Sequence, residues 1–483
     1  MDSPKTEVGY VLSIRDYLIF LDGLPTIRVN DLVENDAHIR GVISALAPDK
    51  AEVWILDEGS VTPGQLFKKT DKRLGITAGD FLLGRAVNPL GIPIDGKGPL
   101  SKTRGVELEL QQNAPPMQTR QFITDQFITG ITLIDTLIPL GKGQRELVLG
   151  DTHAGKTPFL IDLINNQAKL GTVCIYTAVG KPVTAIRNMI DVLGETGALK
   201  NTVIVAATSS DASPLIFYTP YSGMTIAEYF QKQGKDVLVI FDDLGTHAKV
   251  YRELALLGGR PPGRQSYPGD IFYTHARLLE RAGKFNGTNG GGSITAIPMM
   301  ELNLTDFTGF IPTNLMAMTD GHFIFSSELF AQGFRPAINT ETSISRVGRQ
   351  TQNRLQNLLS QAIRQILAEA SGLETLSRFS GELPEQTQIT LKRKDMLTEI
   401  CKQEPLTYIP PEIQIVFLGL PFTSLLRDRN VYFLQKNKLK ILNFLLKEPE
   451  VKPFAKSLLA LRGLNQLMAK LELLAPKLKE ICR

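Results

Sequence analysis

Five nearly unbroken apolar stretches constrain the fold of this chain more than any other feature, because they alternate with helical stretches through its centre. Runs of this kind are typical of parallel strands that are covered by helices on both faces. They predict a parallel sheet in the middle third of the chain. The runs are residues 146–150, 172–180, 201–210, 236–244 and 293–300.

The regions before and after this centre have a different pattern. Short β-rich runs broken by Asp, Gly and Pro fill residues 8–72 and predict a small antiparallel barrel. After about Gly348 the β pattern ends, and apolar residues from 355 to 367 lie on one helical face. The chain is thus predicted to be an α/β multidomain protein with a β-barrel, a P-loop domain and a helical bundle. The predicted boundaries are 1–74, 75–350 and 351–483.

Composition excludes several classes of protein. Hydrophobic residues make up 43% and charged residues 21% of the 483, which is ordinary for a folded soluble protein. No apolar run reaches the length of about 18 residues that a membrane span needs, and the first residues lack the pattern of a signal peptide. The three scattered cysteines form neither a disulfide framework nor a metal motif, which favours a reducing compartment.

The C-terminal tail is basic, since eleven Lys and Arg face four Asp and Glu between Lys436 and Arg483. Such a tail can bind nucleic acid or anionic lipid. Its lysines alternate with leucines at helical spacing, however, and aromatic residues are few. The pattern therefore favours a solvated helix face.

The segment GDTHAGKT at positions 150–157 predicts a phosphate-binding loop, because an apolar strand leads into it and a helical pattern follows it. Glycines let backbone N–H groups close around phosphates, and the helix start adds partial positive charge. Lys156 is predicted to contact the β- and γ-phosphates of ATP, or the β-phosphate of ADP, and Thr157 to ligate Mg²⁺. The predicted nucleotide-binding residues here are Gly150, Asp151, Thr152, His153, Ala154, Gly155, Lys156 and Thr157.

Asp242 ends the apolar run DVLVIF about eighty residues after the loop. An acidic pair after a strand is commonly only the point where the strand leaves the core. Following a P-loop, it is better interpreted as the aspartate that reaches Mg²⁺ directly or through water. Asp242 is therefore predicted to support the metal.

Six further blocks follow one another in a fixed order: residues 82–100, 138–151, 210–230, 260–282, 311–325 and 333–348. Together they resemble the alpha-type subunit of the rotary ATP synthase head, over about residues 8–405. The resemblance implies a heterohexamer of alternating alpha-type and beta-type subunits around a gamma-type shaft, with ATP turnover coupled to proton or sodium transport. It also implies a peripheral membrane protein on the cytoplasmic face of the bacterial plasma membrane, or on the matrix side of an organelle.

Three departures from this family bear on assembly and on the phosphate site. It begins almost at the first barrel strand, without the N-terminal helix that docks a delta-type stator subunit, which leaves that contact doubtful. Thr152, His153 and Ala154 replace the usual Arg-Gln-Thr of the loop. Lys181 stands where the beta-type subunit has a catalytic Glu and the alpha-type usually Gln.

Lys181 bears directly on catalysis. Hydrolysis of ATP requires a group that orients or deprotonates water, usually a carboxylate just past the strand that follows the P-loop helix. A protonated ammonium cannot act as that base. Lys181 is interpreted either as a surface ion-pairing lysine or as a phosphate contact. In both cases the site of this chain is predicted to be non-catalytic.

Other roles come from the resemblance. Arg346 matches the arginine that the alpha-type subunit projects into the neighbouring beta-type catalytic site, where a guanidinium stabilises the transferring phosphoryl group. Arg335 and Pro336 match the segment at the adenine end of the non-catalytic site. Gln403 matches the first of two glutamines that reach the base, and Pro405 replaces the second.

Two other functions stay open on the sequence alone. A self-sufficient homohexameric motor, either a secretion-type or a Rho-like ATPase, would need a catalytic carboxylate in the same chain, which Lys181 argues against. The barrel has no strand rich in aromatic and basic residues, so no nucleic-acid partner is predicted. A homologue that has lost nucleotide binding is disfavoured by the intact Lys156, Thr157 and Asp242.

Overall fold

The computed structural model describes residues 7–101, 104–302, 306–377, 384–427 and 429–482. Arg483, which ends the predicted basic tail, lies outside this part of the chain. The strands in chain order are β1 Val8–Arg15, β2 Leu18–Asp22, β3 Asp31–Asn35, β4 Arg40–Leu46, β5 Ala51–Ile55, β6 Leu66–Arg73, β7 Gly75–Ala78, β8 Ala86–Val87, β9 Val106–Glu109, β10 Gln126–Phe127, β11 Leu140–Gly141, β12 Glu146–Asp151, β13 Val173–Lys181, β14 Thr202–Thr208, β15 Asp236–Asp242, β16 Gly283–Lys284, β17 Ser293–Leu302, β18 Gly321–Phe325 and β19 Ile344–Ser345.

The α-helices of the described residues follow the change in sequence pattern, since they alternate with strands in the centre and stand alone after residue 354. They are α1 Thr132–Leu137, α2 Lys156–Lys169, α3 Val183–Glu195, α4 Ser213–Lys232, α5 Leu244–Leu257, α6 Ile271–Leu279, α7 Phe310–Met318, α8 Ser327–Ala331, α9 Arg354–Ser377, α10 Glu385–Cys401, α11 Pro411–Gly419, α12 Val431–Lys447, α13 Val451–Leu458, α14 Leu464–Glu472 and α15 Ala475–Ile481. Within the described ranges, none of them is long and apolar enough to cross a membrane.

The chain divides into two compact units. The first contains residues 1–122, 143–152 and 167–322, and the second contains residues 123–142, 153–166 and 323–483. Contacts in space define these units, so they differ in kind from the three sequence domains, whose boundaries remain a prediction.

A closed barrel begins the first unit, with strand order β1-β2-β5-β4-β3-β6. Its interior is apolar, with Ile19, Val33, Val53 and Phe67 almost fully buried. The barrel packs against the rest of the unit through polar contacts as well, because the Arg260 guanidinium donates to Glu52 in β5. The predicted antiparallel barrel is confirmed.

The parallel sheet of the first unit has the order β12-β17-β15-β13-β14-β8, and each neighbouring pair is parallel. The five apolar runs that the sequence singled out form β12, β13, β14, β15 and β17. Because the strands run in one direction, their carboxyl ends meet at one edge of the sheet. Residues at this edge are candidates for ligand binding.

The second unit is mainly helical. In α9, Leu355, Leu359 and Ile363 are completely buried, so the helix packs with the face that its periodicity predicted. The buried Asp135 carboxylate in α1 accepts hydrogen bonds from the backbone N–H groups of Thr129 and Gly130 and from the amide of Gln414. Burial raises the pKa of Asp135 to about 6 despite these donors. The predicted helical region is confirmed.

Candidate nucleotide-binding site

The predicted phosphate loop connects β12 to α2, which begins at Lys156. Gly155 has a φ of +86°, and a Cβ at this position would lie 2.7 Å from the Phe330 ring, so both conformation and space require glycine. Lys156 is buried, whereas Thr157 in the first helical turn is exposed. The strand–loop–helix arrangement is the one that a P-loop requires.

The residues peculiar to this loop differ in environment. Thr152 and His153 are exposed, and His153 adopts a positive φ of 64°. Ala154 is completely buried. Among the three, the exposed pair can therefore reach a ligand with their side chains, whereas Ala154 contributes its backbone alone.

The carboxyl edge of the first unit's sheet contains an ion pair that we call the edge pair, Lys181 and Asp242. Each is the last residue of its strand, β13 and β15, and these strands are parallel neighbours. Lys181 Nζ lies 2.6 Å from Asp242 Oδ1, and the two side chains are 19% and 2% exposed. The Tyr176 hydroxyl donates to Asp242 Oδ2 at 2.6 Å. Both carboxylate oxygens of Asp242 are thus engaged.

Electrostatics keep Lys181 protonated. Burial lowers its pKa, but the carboxylates of Asp242 and Asp243 outweigh that effect and leave the pKa above its ordinary value. Lys181 Nζ lies 3.8 Å from Asp243 Oδ2. Of the two interpretations drawn from sequence, the ion-pairing lysine has its ion pair, although the ammonium is partly buried, and the phosphate contact stays a prediction. The end of β13 thus carries a partly buried positive charge.

Sequence reasoning did not single out three residues at this edge. Tyr176 lies within β13 and Asp243 caps α5 by accepting from the backbone N–H of Thr246. Glu301, near the end of β17, is the register partner of Gly150 and acts electrostatically on Lys181. The position of Asp243 and Glu301 at the ends of apolar runs was the available signal. Tyr176 offered none, because a tyrosine inside an apolar strand usually belongs to the core.

A divalent cation fits Asp242 poorly. Mg²⁺ prefers several oxygen ligands in octahedral geometry at about 2.0–2.1 Å, whereas the Asp242 oxygens face an ammonium and a phenol. Among the described residues, no group of three or more His, Cys, Asp or Glu side chains is arranged to hold a metal. The exposed Thr157 hydroxyl has the chemistry of a Mg²⁺ ligand. Of the two predicted metal residues, Thr157 therefore suits a Mg²⁺ ion and Asp242 does not.

The segment expected at the adenine end is built around an aromatic stack. The Arg335 guanidinium lies 3.5 Å from the centre of the Phe330 ring, and its Nη1 donates to the carbonyls of Phe330 and Phe334. Pro336 follows it and is half-buried. The Phe330 ring thus packs between Gly155 of the loop and Arg335.

Gln403 is buried, and its side chain bonds to the surrounding backbone. Its amide nitrogen donates to the carbonyls of Gly130 and Thr407, and its oxygen accepts from the backbone N–H of Thr132. A contact with a nucleotide base would require some of these bonds to exchange. That contact remains a prediction from the family.

Arg346 follows the short strand β19 and is exposed. It lines a cavity of about 650 Å³ together with Arg349 and Arg354, and the other lining residues include four amide side chains. The lining of this cavity, as far as the chain is described, includes no residue of the P-loop. The basic cavity and the P-loop are therefore separate features of the chain.

Comparison with known proteins agrees with these features. Residues 130–345 match the model of the ATP synthase alpha/beta family, nucleotide-binding domain. Three curated relatives are each an ATP synthase subunit alpha of Staphylococcus aureus, from the strains bovine RF122 / ET3-1, JH9 and Mu3 / ATCC 700698. Each is 42% identical over 416 residues, which cover 86% of this chain and 82% of the relative. The barrel, the parallel-sheet domain and the C-terminal helices, together with this similarity, place the chain in the ATP synthase alpha-subunit family.

Proposed function

We propose that this chain is a non-catalytic, nucleotide-binding alpha-type subunit of a rotary ATP synthase. It binds Mg-ATP or Mg-ADP through the P-loop, with Thr157 as a ligand of the nucleotide's Mg²⁺, and supplies Arg346 to an adjacent beta-type catalytic site. It thereby supports ATP synthesis or hydrolysis coupled to proton or sodium transport. The observation that carries the proposal is the Lys181 ammonium at the carboxyl end of β13, 2.6 Å from Asp242.

Lys181 explains why this site does not hydrolyse what it binds. A water molecule attacking the γ-phosphate needs a general base or an orienting acceptor. Lys181 offers donors and no acceptor, and the carboxylate beside it, Asp242, is already paired with the Lys181 ammonium and accepts from the Tyr176 hydroxyl. The buried Lys156 and the glycine-dependent loop remain suited to holding phosphates. Binding without cleavage is the function that these residues support.

Arg346 is suited to act outside its own chain. Its guanidinium is exposed beside Arg349 and Arg354, which leaves it available to an anion from another subunit. A permanently charged planar guanidinium can stabilise the equatorial oxygens of a transferring phosphoryl group. This chemistry supports the role of an arginine supplied to the neighbouring beta-type site.

The partners follow from this assignment. We propose beta-type subunits on either side in an alternating heterohexamer and a gamma-type shaft at its centre, with no nucleic-acid partner. The chain is then a peripheral membrane component on the cytoplasmic or matrix face, attached through its partners. A delta-type stator contact is not part of the proposal.

The proposal is tested by measuring ATP binding and hydrolysis with the purified chain alone and with its beta-type neighbour. We expect the chain alone to bind ATP without turnover, and the mixture to hydrolyse ATP. A Lys156→Gln variant, which lacks the phosphate contact, should lose binding. Hydrolysis by the chain alone would identify a self-sufficient motor instead, and absence of binding would identify a homologue that has lost the nucleotide site.

Replacing Arg346 by alanine in the reconstituted complex tests the second half of the proposal. Turnover should fall by about 10³-fold or more, because the transition state loses a guanidinium while nucleotide binding by this chain is kept. An Arg462→Ala variant is the control, since Arg462 is an exposed arginine of the C-terminal helical region. Equal turnover in wild type and the Arg346 variant would rule out the assignment.

A further inference from the structure

The edge pair lies where a P-loop protein ordinarily keeps the charges that position a metal. Gly150 and Asp151 end β12, Lys181 ends β13 and Asp242 ends β15, all in the parallel sheet of the first unit. The carboxyl ends of these strands share one edge. Lys181 therefore belongs to the same edge as the start of the phosphate loop.

The Asp242 carboxylate has a fixed set of partners. One oxygen lies 2.6 Å from the Lys181 ammonium and the other accepts from the Tyr176 hydroxyl at the same distance. The side chain is almost fully buried. A second, divalent cation drawn toward this carboxylate would be repelled by the ammonium at short range in a poorly screened environment.

The Lys181 ammonium has more N–H donors than its contact with Asp242 requires. Lysine has three N–H donors. Among the described residues, the ion pairs of Lys181 are a close one with Asp242 and a longer one, at 3.8 Å, with Asp243. Its side chain is 19% exposed, so part of it faces out of the core. Lysine is a common point-charge partner of phosphate. The group thus combines a fixed carboxylate partner with donors that suit a phosphate oxygen.

From these contacts we propose that the Lys181 ammonium takes the place of a Mg²⁺ ion held by Asp242 in this nucleotide site. It neutralises Asp242 and contacts phosphate. The chain therefore binds nucleoside di- and triphosphates without needing Mg²⁺ at Asp242. The inference rests on the proposed nucleotide binding. It replaces the expectation that Asp242 supports the metal, and it leaves Thr157 free to ligate any Mg²⁺ that arrives with the nucleotide.

The test is the affinity of the purified full-length chain for ATP, measured by calorimetry in excess Mg²⁺ and again in EDTA. For the wild type we expect the two dissociation constants to agree within about threefold. In Asp242→Asn the dissociation constants with and without Mg²⁺ should differ as little as in the wild type. Lys181→Gln should weaken binding in EDTA, and Mg²⁺ should restore it by about tenfold or more, because the freed Asp242 can then support the metal.

Three controls make the result decisive. Lys181→Arg keeps the positive charge, so its ATP affinity should respond to Mg²⁺ as little as that of the wild type. This variant still tests the role of the charge if Lys181→Gln does not fold. Lys249→Gln removes an exposed lysine of α5 in the same unit and should change nothing. Lys156→Gln should abolish binding in both buffers, which shows that the heat comes from the P-loop.

Two outcomes overturn the inference, and they differ. If the wild type loses about tenfold or more in EDTA and Asp242→Asn removes that loss, Asp242 supports Mg²⁺ in the usual way, while nucleotide binding stands. If the wild type binds ATP in neither buffer, the proposed nucleotide binding fails and the inference fails with it.

Discussion

Two cation–carboxylate pairs in the first unit differ in burial and in how many of the cation's donors are used. In the pair that we call the core pair, Arg281 and Glu228, Nε and Nη2 donate to the two carboxylate oxygens at 2.7 and 2.8 Å. The remaining donors reach the Leu110 carbonyl and the Thr225 hydroxyl. In the edge pair, the described part of the chain gives the ammonium one close carboxylate contact, and the lysine is partly exposed.

The difference separates a pair that holds the fold together from a pair that serves a site. A bidentate, fully buried arginine that uses four of its five N–H donors ties α4 to the segment just after α6. A lysine with one partner keeps donors free and can adjust when a ligand binds. Charge alone therefore does not distinguish structural from functional pairs, whereas the number of satisfied donors does.

Breaking the core pair should produce the largest loss of stability. Arg281→Ala leaves the Glu228 carboxylate buried without a counter-charge, which is expected to cost about 3–5 kcal/mol of unfolding free energy. Urea unfolding can be followed by the fluorescence of Trp54, the single tryptophan of the chain, which is buried in the same unit. Lys68→Ala removes an exposed partner of Asp36 and should leave the midpoint unchanged. Equal effects of the two substitutions would contradict the distinction.

A third buried polar pair, His247 and His275, sharpens the comparison because it contains no opposite charge. His247 Nε2 faces the Phe217 carbonyl at 3.1 Å and must donate to it, so Nδ1 accepts from His275 Nε2 at 3.2 Å. Burial lowers the pKa of His247 to about 4 and that of His275 well below its ordinary value. Both rings are therefore neutral in the folded chain near neutral pH.

Acid should weaken the first unit through these histidines. In the unfolded chain His247 binds a proton below its ordinary pKa of 6.5, whereas in the folded chain it does so only below about pH 4. The contribution of neutral His247 to stability is therefore complete above pH 6.5 and is lost as the pH falls from 6.5 to about 4. At about pH 5 the expected loss is about 2 kcal/mol from His247 alone. The double variant His247→Phe, His275→Leu should flatten this dependence in the Trp54 assay, and exposed His38→Gln should not. An unchanged slope in the double variant would refute the prediction.

Breaking the edge pair should have the smallest effect on stability. Lys181→Gln is expected to cost about 1–2 kcal/mol, because the amide can still donate to Asp242 and the carboxylate can take up a proton. The same Trp54 unfolding curves give the value directly. A loss as large as that of Arg281→Ala would mean that the edge pair is a structural element like the core pair.

Much of the architecture was predictable because it depends on local pattern. The apolar runs that became β12, β13, β14, β15 and β17 determine the sheet through burial on both faces. The glycine spacing of the P-loop and its position between strand and helix predicted the loop that the structure contains. The barrel followed from short β-rich runs broken by Asp, Gly and Pro, and the C-terminal helices from a periodicity of 3.6 residues.

The candidate site was predictable only in part. Lys156, Thr157, Asp242 and Arg346 were predicted from spacing or from family blocks, and Lys181 was singled out where the family resemblance implies a Glu or a Gln. Tyr176 was missed because its hydroxyl acquires a role only through a neighbouring strand. Gln403 was assigned to a base from its position in the family, whereas its side chain bonds to backbone carbonyls and N–H groups that are distant in sequence.

The sequence by itself determined the fold class, the spacing of the phosphate loop and the presence of a lysine at the end of β13, because each depends on residue types at short spacing. The tertiary structure alone decided what Lys181 does. Its partner lies on a different strand, and the two meet because β13 and β15 are parallel neighbours with Ala178 in register with Asp242. Strand order and register arise from packing of the whole sheet, and no local pattern specifies them.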